Sequence, residues 1–460
     1  MSKRLLAVVA IVGVCAAVGA PAASARPASV PHIKGSASAW HVTKKGLTWR
    51  FAAGATQAPP TTAQCEAAQG IACYSPHQFQ TAYNMKQLYA AGDAGQGRTI
   101  VLVDAFGSPT IKADLASFDT AFGLPAPPSF KVVQPVGPVP AFDPTNATMV
   151  NWGVETTLDV EMSHLMAPKA NIVLAETPVA ETEGTVGFPQ IVKAENKLIN
   201  AGVGDVFSQS FGATEETFPS KASILNLRSA NKNARAHHVT MLASSGDTGS
   251  AEGRLDGTFF RHPAIIWPSS DPLVTSVGGT QLNLDANGNR TAPDNVWNDI
   301  PIGIDAAGGG GPSHVFGLPS FQHHVRGTGR GRSTPDVSMS AAVNGGALVF
   351  LSFAPLGAGF YIVGGTSEAS PLFSGVVAIA DQIAGHRLGW INPAMYELAR
   401  GAGSGVVDIT SGSNTFLVEG PNGSPLFSVP GWNAVRGYDM ASGLGTVNGF
   451  TFAHALAGAG

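Results

Sequence analysis

Short, unbroken apolar runs constrain the fold of this chain more than any other feature. Thr99 to Asp104 reads TIVLVD, and Asn171 to Ala175, Val203 to Ser208, Thr240 to Ser244 and Leu348 to Phe353 are of the same kind. A strand with no polar face must be covered on both sides, as in a parallel sheet between helices. The intervening stretches supply those helices: Lys112 to Phe122 and Ile191 to Ala201 carry helical spacing. The expectation is an α/β fold, a mostly parallel central sheet with helices on both faces. No repeat or composition shift between about 74 and 456 marks a domain boundary.

The ends read differently. Lys3 and Arg4, an apolar stretch from Leu5 to Val18 and Ala23-Ser24-Ala25 form a secretory signal over residues 1–25. Residues 26–64 are rich in Ala, Pro, Thr and Ser and read as a linker or short pro-segment before a catalytic domain at 65–460. Cys15 leaves with the signal, so Cys65 and Cys73 are expected to pair as a local disulfide in an oxidising compartment. The formal net charge is −4 without a basic tract, which argues against nucleic acid as a partner. No later run reaches spanning length, so no stable membrane association is expected.

Gly364-Gly365-Thr366-Ser367-Glu368-Ala369-Ser370-Pro371 joins an apolar strand, Phe360 to Val363, to a nearly all-apolar helix ending about Ile383. A helix apolar all round is buried. Ser367 therefore stands at a buried N-terminus, where free N–H groups and the helix dipole favour developing negative charge. The plain alternative is an N-cap serine without chemistry.

In Trp152 to Glu161 (WGVETTLDVE), Val154, Leu158, Met162 and Leu165 make an apolar stripe, and Glu155 and Asp159 share the adjacent face. Like charges at this spacing cost about 0.2–0.5 kcal/mol in water. Partly buried, they are expected to share a proton, one pKa rising, and to serve as a general base at acid pH. A solvated acidic face is the alternative. The segment Ala243 to Ser250 (ASSGDTGS) places Asp247 in a glycine-flanked loop after a strand, fit for a turn or for a protonated carboxyl that donates to an oxyanion.

Together, in this order, the three segments resemble the sedolisin family of serine-carboxyl peptidases. Tyr74-Ser75-Pro76 with Tyr83, Phe122 to Pro125, Met166-Ala167-Pro168, Pro268 to Thr280, Gly308 to Gly311 and Pro335 to Ser338 agree with it, so the likeness runs from about 74 to 455. It implies a subtilisin-like fold, with Ser367 as nucleophile, Glu155 as general acid/base, Asp159 as its orienting partner and Asp247 in the oxyanion hole. It also implies substrate-backbone contacts at Ser210, Phe211 and Gly212, where Phe211 replaces the family's usual Trp. One structural calcium ion is implied at Asp408, Ile409, Val435, Gly437 and Asp439, hard oxygen ligands of the kind calcium takes.

The resemblance implies a secreted, acid-acting endopeptidase on protein or peptide substrates, expected as a monomer, because a Glu base titrates near pH 4.3. The family's folded pro-domain of well over a hundred residues does not fit within residues 26–64. Asp104 is either a further carboxylate linked to the triad or a turn residue. Two other readings are a Ser-His-Asp subtilase using Asp104 and His164, and a secreted binding protein on an inactive peptidase scaffold.

Overall fold

The computed structural model describes residues 41–42, 48–419 and 424–459; the signal segment 1–25 lies outside the described residues. The expected strands form. The central sheet contains β3 (Thr99–Ala105), β4 (Phe130–Val133), β5 (Asn171–Thr177), β6 (Val206–Gln209), β7 (Thr240–Ser244), β8 (Thr275–Gln281), β9 (Asn295–Val296) and β10 (Val337–Ser340). Their order is β9-β8-β7-β6-β3-β5-β4, with β10 also on β8, and all pairs are parallel except β8 with β9.

Period-two alternation divides β3 between two cores. Ile100 and Leu102 pack on one face with Leu158 and Leu372, while Val101 and Val103 pack on the other with Ile191 and Phe207. Helices α3 (Ala147–Met166) and α5 (Thr366–Ala384) cover the first face; α4 (Phe188–Asn200) covers the second. The fold is subtilisin-like.

Helix α3 begins at Asn146, whose Oδ1 accepts the N–H of Thr148 and Met149 at 3.0 and 3.3 Å, and is buried all round from Trp152 to Met166. It packs closely on α5, where a Cβ at Gly375 would come within 2.5 Å of the Met166 Cβ. This seam fixes both helices rigidly, because neither can slide without overlap.

A second sheet runs His41–Val42, β1 (Thr48–Gly54), β12 (Gly359–Gly364), β11 (Gly346–Leu351) and β2 (Cys73–Tyr74). Strand β1 lies in the stretch read from sequence as linker or pro-segment, and helix α1 (Thr62–Gln69) crosses the expected boundary at 64. Residues 48–69 are thus parts of the fold. Helix α2 (Ile111–Phe122) packs against this sheet, with Phe122 edge-on to Phe360 at 5.8 Å. The Cys65–Cys73 disulfide forms, tying α1 to β2.

Candidate active site

Strand β12 ends at Gly364, and the chain turns through Gly365, with φ 150°, straight into α5. Pro371 lies inside the first turns of α5; its missing N–H leaves the Ser367 carbonyl without the usual helical donor. Ser367 is 5% exposed and Glu155 6% exposed, and both line one cleft of about 770 Å³ with Ser210, Phe211, Gly212 and Asp247.

The Ser367 hydroxyl acts on the Glu155 carboxyl as a hydrogen-bond partner, which lowers its pKa. Burial dominates in the opposite direction, and the charges of Asp104 and Asp247 add to it, so Glu155 titrates well above an ordinary glutamate. One turn further along α3, Asp159 is fully buried. Its Oδ1 accepts the Ser210 hydroxyl at 2.9 Å. Burial raises its pKa most, then the charges of Asp104 and Glu155.

Asp104 lies within β3 rather than in a turn, buried next to Asp159. Burial, then the charge of Glu176, pushes it up to about 7. The two carboxyls are in contact, and burial raises both. Proton sharing between Glu155 and Asp159 was the expectation from their spacing. In the structure Asp159 accepts the Ser210 hydroxyl and lies close enough to both Asp104 and Glu155 for their charges to raise it.

Asp247 follows β7 through Gly246, whose φ of 111° favours glycine. Burial raises Asp247 to about 7, against hydrogen bonds from Thr366 that lower it. Thr366 donates its N–H and its hydroxyl to Oδ1, each at 2.6 Å, leaving Oδ2 free of these bonds at the cleft. Thr366 was missed as a functional residue, although it stands beside Ser367 in the motif.

The other expected residues divide. Gly212 lines the cleft, where a Cβ would meet the Ile266 side chain at 2.5 Å. Ser210 turns its hydroxyl inward to Asp159. Phe211 is buried against Phe188 at a centroid distance of 6.2 Å, so its ring serves the aromatic core as well as the cleft wall. His164 is buried with Nε2 at 2.9 Å from the Pro125 carbonyl and 3.1 Å from Asp119. No histidine lines the cleft among the described residues.

Near the C-terminus, Asp408 and Asp439 hold one turn from two sides. Asp408 Oδ2 accepts the Gly437 N–H at 2.9 Å, and Asp439 Oδ2 accepts the Val435 N–H at 2.9 Å. The carbonyls of Ile409, Val435 and Gly437 accept no hydrogen bond among the described residues. Two carboxylates and three open carbonyls are a hard oxygen set of the kind calcium takes.

A parallel-sheet fold with an acid-lined serine at a helix N-terminus defines a class of hydrolase, and comparison with known proteins agrees. The subtilase family model matches residues 148–396. Kumamolisin of Bacillus sp. (strain MN-32) is 29% identical over 446 residues, covering 94% of this chain and 69% of its own length. Sedolisin of Pseudomonas sp. (strain 101) is 27% identical over 384 residues, covering 82% of this chain and 60% of its own length. The solved structure of Pseudomonas sedolisin, a serine-carboxyl proteinase complexed with two molecules of pseudo-iodotyrostatin, superposes with a TM-score of 0.69 at 26% identity, covering 83% of this chain and 97% of that one. The chain belongs to the subtilase family of peptidases, and within it to the sedolisins.

Proposed function

We propose that this chain is a secreted serine-carboxyl endopeptidase that cleaves proteins or peptides at acid pH. The observation that carries the reading is the Ser367 hydroxyl facing the buried Glu155 carboxyl in a cleft that also holds Asp247. Glu155 takes the Ser367 proton as Oγ attacks the scissile carbonyl carbon, and the carbonyl π electrons move onto oxygen. Protonated Asp247 donates from Oδ2 to that oxyanion, with Thr366 holding its other oxygen. Collapse of the intermediate breaks the C–N bond, and the leaving amine takes the proton from Glu155. Water then attacks the Ser367 ester with Glu155 again as base, and loss of Ser367 Oγ restores the hydroxyl.

Asp159 orients Glu155 from one turn away, with Ser210 and Asp104 fixing Asp159. Backbone at Ser210, Phe211 and Gly212 would pair with the substrate as an added strand. Asp408 and Asp439, with the Ile409, Val435 and Gly437 carbonyls, would hold one calcium ion that stiffens the C-terminal turn and takes no part in bond cleavage.

The test is hydrolysis of denatured protein at a series of pH values from about 4 to 7, because burial lifts Glu155 above the ordinary carboxylate range. Wild type should cleave internal bonds and Ser367→Ala should not. Equal cleavage by both would remove Ser367 as nucleophile.

A further inference from the structure

Thr366 fixes the carboxyl of Asp247, and two other stretches of chain fix its backbone from behind. The first lies past residue 396, where the subtilase match ends. Ser250 donates its N–H to the Asn414 carbonyl at 2.9 Å and its hydroxyl to the Val429 carbonyl at 2.7 Å. Gly249, with φ 58°, lies against the same Asn414 carbonyl, where a Cβ would stand 2.6 Å away. Asn414 precedes, and Val429 ends, a hairpin of the strands Phe416–Glu419 and Pro425–Val429. The residues that follow Asp247 are thus fastened to the C-terminal hairpin.

The second stretch is the glycine run 308–311. Gly309 donates its N–H to the Gly246 carbonyl at 2.7 Å, and Ala307 donates to the Asp247 carbonyl at 2.9 Å. The Ser245 hydroxyl donates to the Gly309 carbonyl at 2.8 Å. Gly310 lies so close to the Met440 carbonyl that a Cβ would not fit.

Asn414 joins the two stretches. It is fully buried. Its Oδ1 accepts the Trp432 N–H at 2.8 Å, and its own N–H donates to the Trp432 carbonyl at 3.2 Å. Its Nδ2 donates to the carbonyls of Gly310 and Met440, each at 3.5 Å. A buried amide committed to several segments holds their spacing, because each lost bond would leave an unpaired polar group.

We propose that Asn414 is a positioning residue for the oxyanion-hole carboxyl of Asp247. It acts through Ser250 on one side of Asp247 and through Gly310 and Gly309 on the other, without lining the cleft itself. This rests on the reading of Asp247 given above. A donor displaced by about 1 Å meets the oxyanion poorly, and displacements of that size cost up to about a hundredfold in rate.

The experiment measures kcat and KM of the full chain beside Asn414→Ala, Asp247→Ala and the double variant. Asn414→Ala should lower kcat by about ten- to a hundredfold and leave KM within about threefold. Because that loss runs through Asp247, the double variant should stay within about threefold of Asp247→Ala alone. Should the alanine variant fail to fold, Asn414→Ser is read in the same cycle, since its hydroxyl keeps an acceptor and lacks the Nδ2 donor. Losses that multiply in the double variant, a kcat that does not change, or a loss confined to KM overturns the proposal and leaves the peptidase reading standing. An Asp247→Ala variant as fast as the parent removes the oxyanion role and this proposal with it, and a parent that cleaves nothing removes the peptidase reading.

Discussion

Thr366 gives both its backbone N–H and its hydroxyl to one oxygen of Asp247, each at 2.6 Å. Residues 119 positions apart are thereby locked together, one at the end of β7 and the other at the head of α5 beside Ser367. With Oδ1 saturated by donors, a proton on this carboxyl belongs on Oδ2, at the cleft.

A limb in the pH profile follows from that arrangement. Burial sets Asp247 at about 7, so it is a donor below that pH and a repelling carboxylate above it. kcat/KM should therefore fall as pH rises through about 7. Asp247→Asn keeps a donor at all pH values, so it should remove this limb, whereas Asp247→Ala should cost about 10²–10³ in kcat. An unaltered alkaline limb in Asp247→Asn would assign it to another group.

Glu155→Gln tests the base without disturbing the shape of the seam between α3 and α5. Loss of a general base costs about 10²–10⁴ in rate. Because the native state holds Glu155 protonated more readily than an exposed glutamate, the amide should leave the melting temperature unchanged or higher at neutral pH. Steady-state kinetics beside a melt of the same sample measures both. A large drop in the melt would recast Glu155 as a structural residue.

Stability should itself depend on pH, in a direction set by burial. Glu195, on α4, is 2% exposed, its Oε1 has no partner, and burial lifts it to about 8. Asp381 is raised to about 8, again mainly by burial, and Asp104 to about 7. Such groups bind protons more tightly folded than unfolded, so stability is intact near pH 4 and declines as pH rises toward about 8. Glu195→Gln should recover a few kcal/mol at about pH 8 and nothing near pH 4. Melts of both proteins across that range check it; parallel curves would show that Glu195 is not a source of the loss.

Much of this frame was legible in the residues. TIVLVD, NIVLA and the Thr240 to Ser244 run could only be covered strands, and GTSEASP before an apolar helix marked a buried helix head. What escaped depends on contacts between distant segments. Spacing put Glu155 beside Asp159, but could not show that Asp104 and Ser210, on other elements, also meet Asp159. Asn414 and Ser250 come from separate segments, and no local pattern shows that the C-terminal chain holds the Asp247 loop. Strand β1 was hidden for the same reason, since its partner, β12, lies about three hundred residues later.

The C-terminal turn supplies a prediction independent of the active site. If Asp408 and Asp439 hold calcium, a chelator should lower the melting temperature, added calcium should restore it, and Asp439→Asn should abolish the response. Asp439 also accepts the Ala441 and Ser442 N–H groups at 3.0 and 2.8 Å, so the variant itself should melt lower. A melt indifferent to chelator and calcium would remove the ion.

Strand β1 bears on where the chain can be trimmed. Gly54 to Thr48 pair antiparallel with Gly359 to Gly364, along the strand that delivers Ser367 to its place. Thr48, Trp49 and Arg50 are buried, and the Trp49 ring packs edge-on to Tyr361 at 6.1 Å. Removing β1 would expose the hydrogen-bonding edge of β12 and strip apolar cover from Tyr361, at about 25 cal/mol per Å² of apolar surface uncovered. A chain beginning at Thr61 should therefore melt several degrees lower, aggregate more readily and lose specific activity, because β12 and the turn at Gly365 would no longer be held from that side. N-terminal sequencing of the active form checks the same argument from the other direction: a mature N-terminus beyond Gly54 with undiminished activity would show that β1 is dispensable.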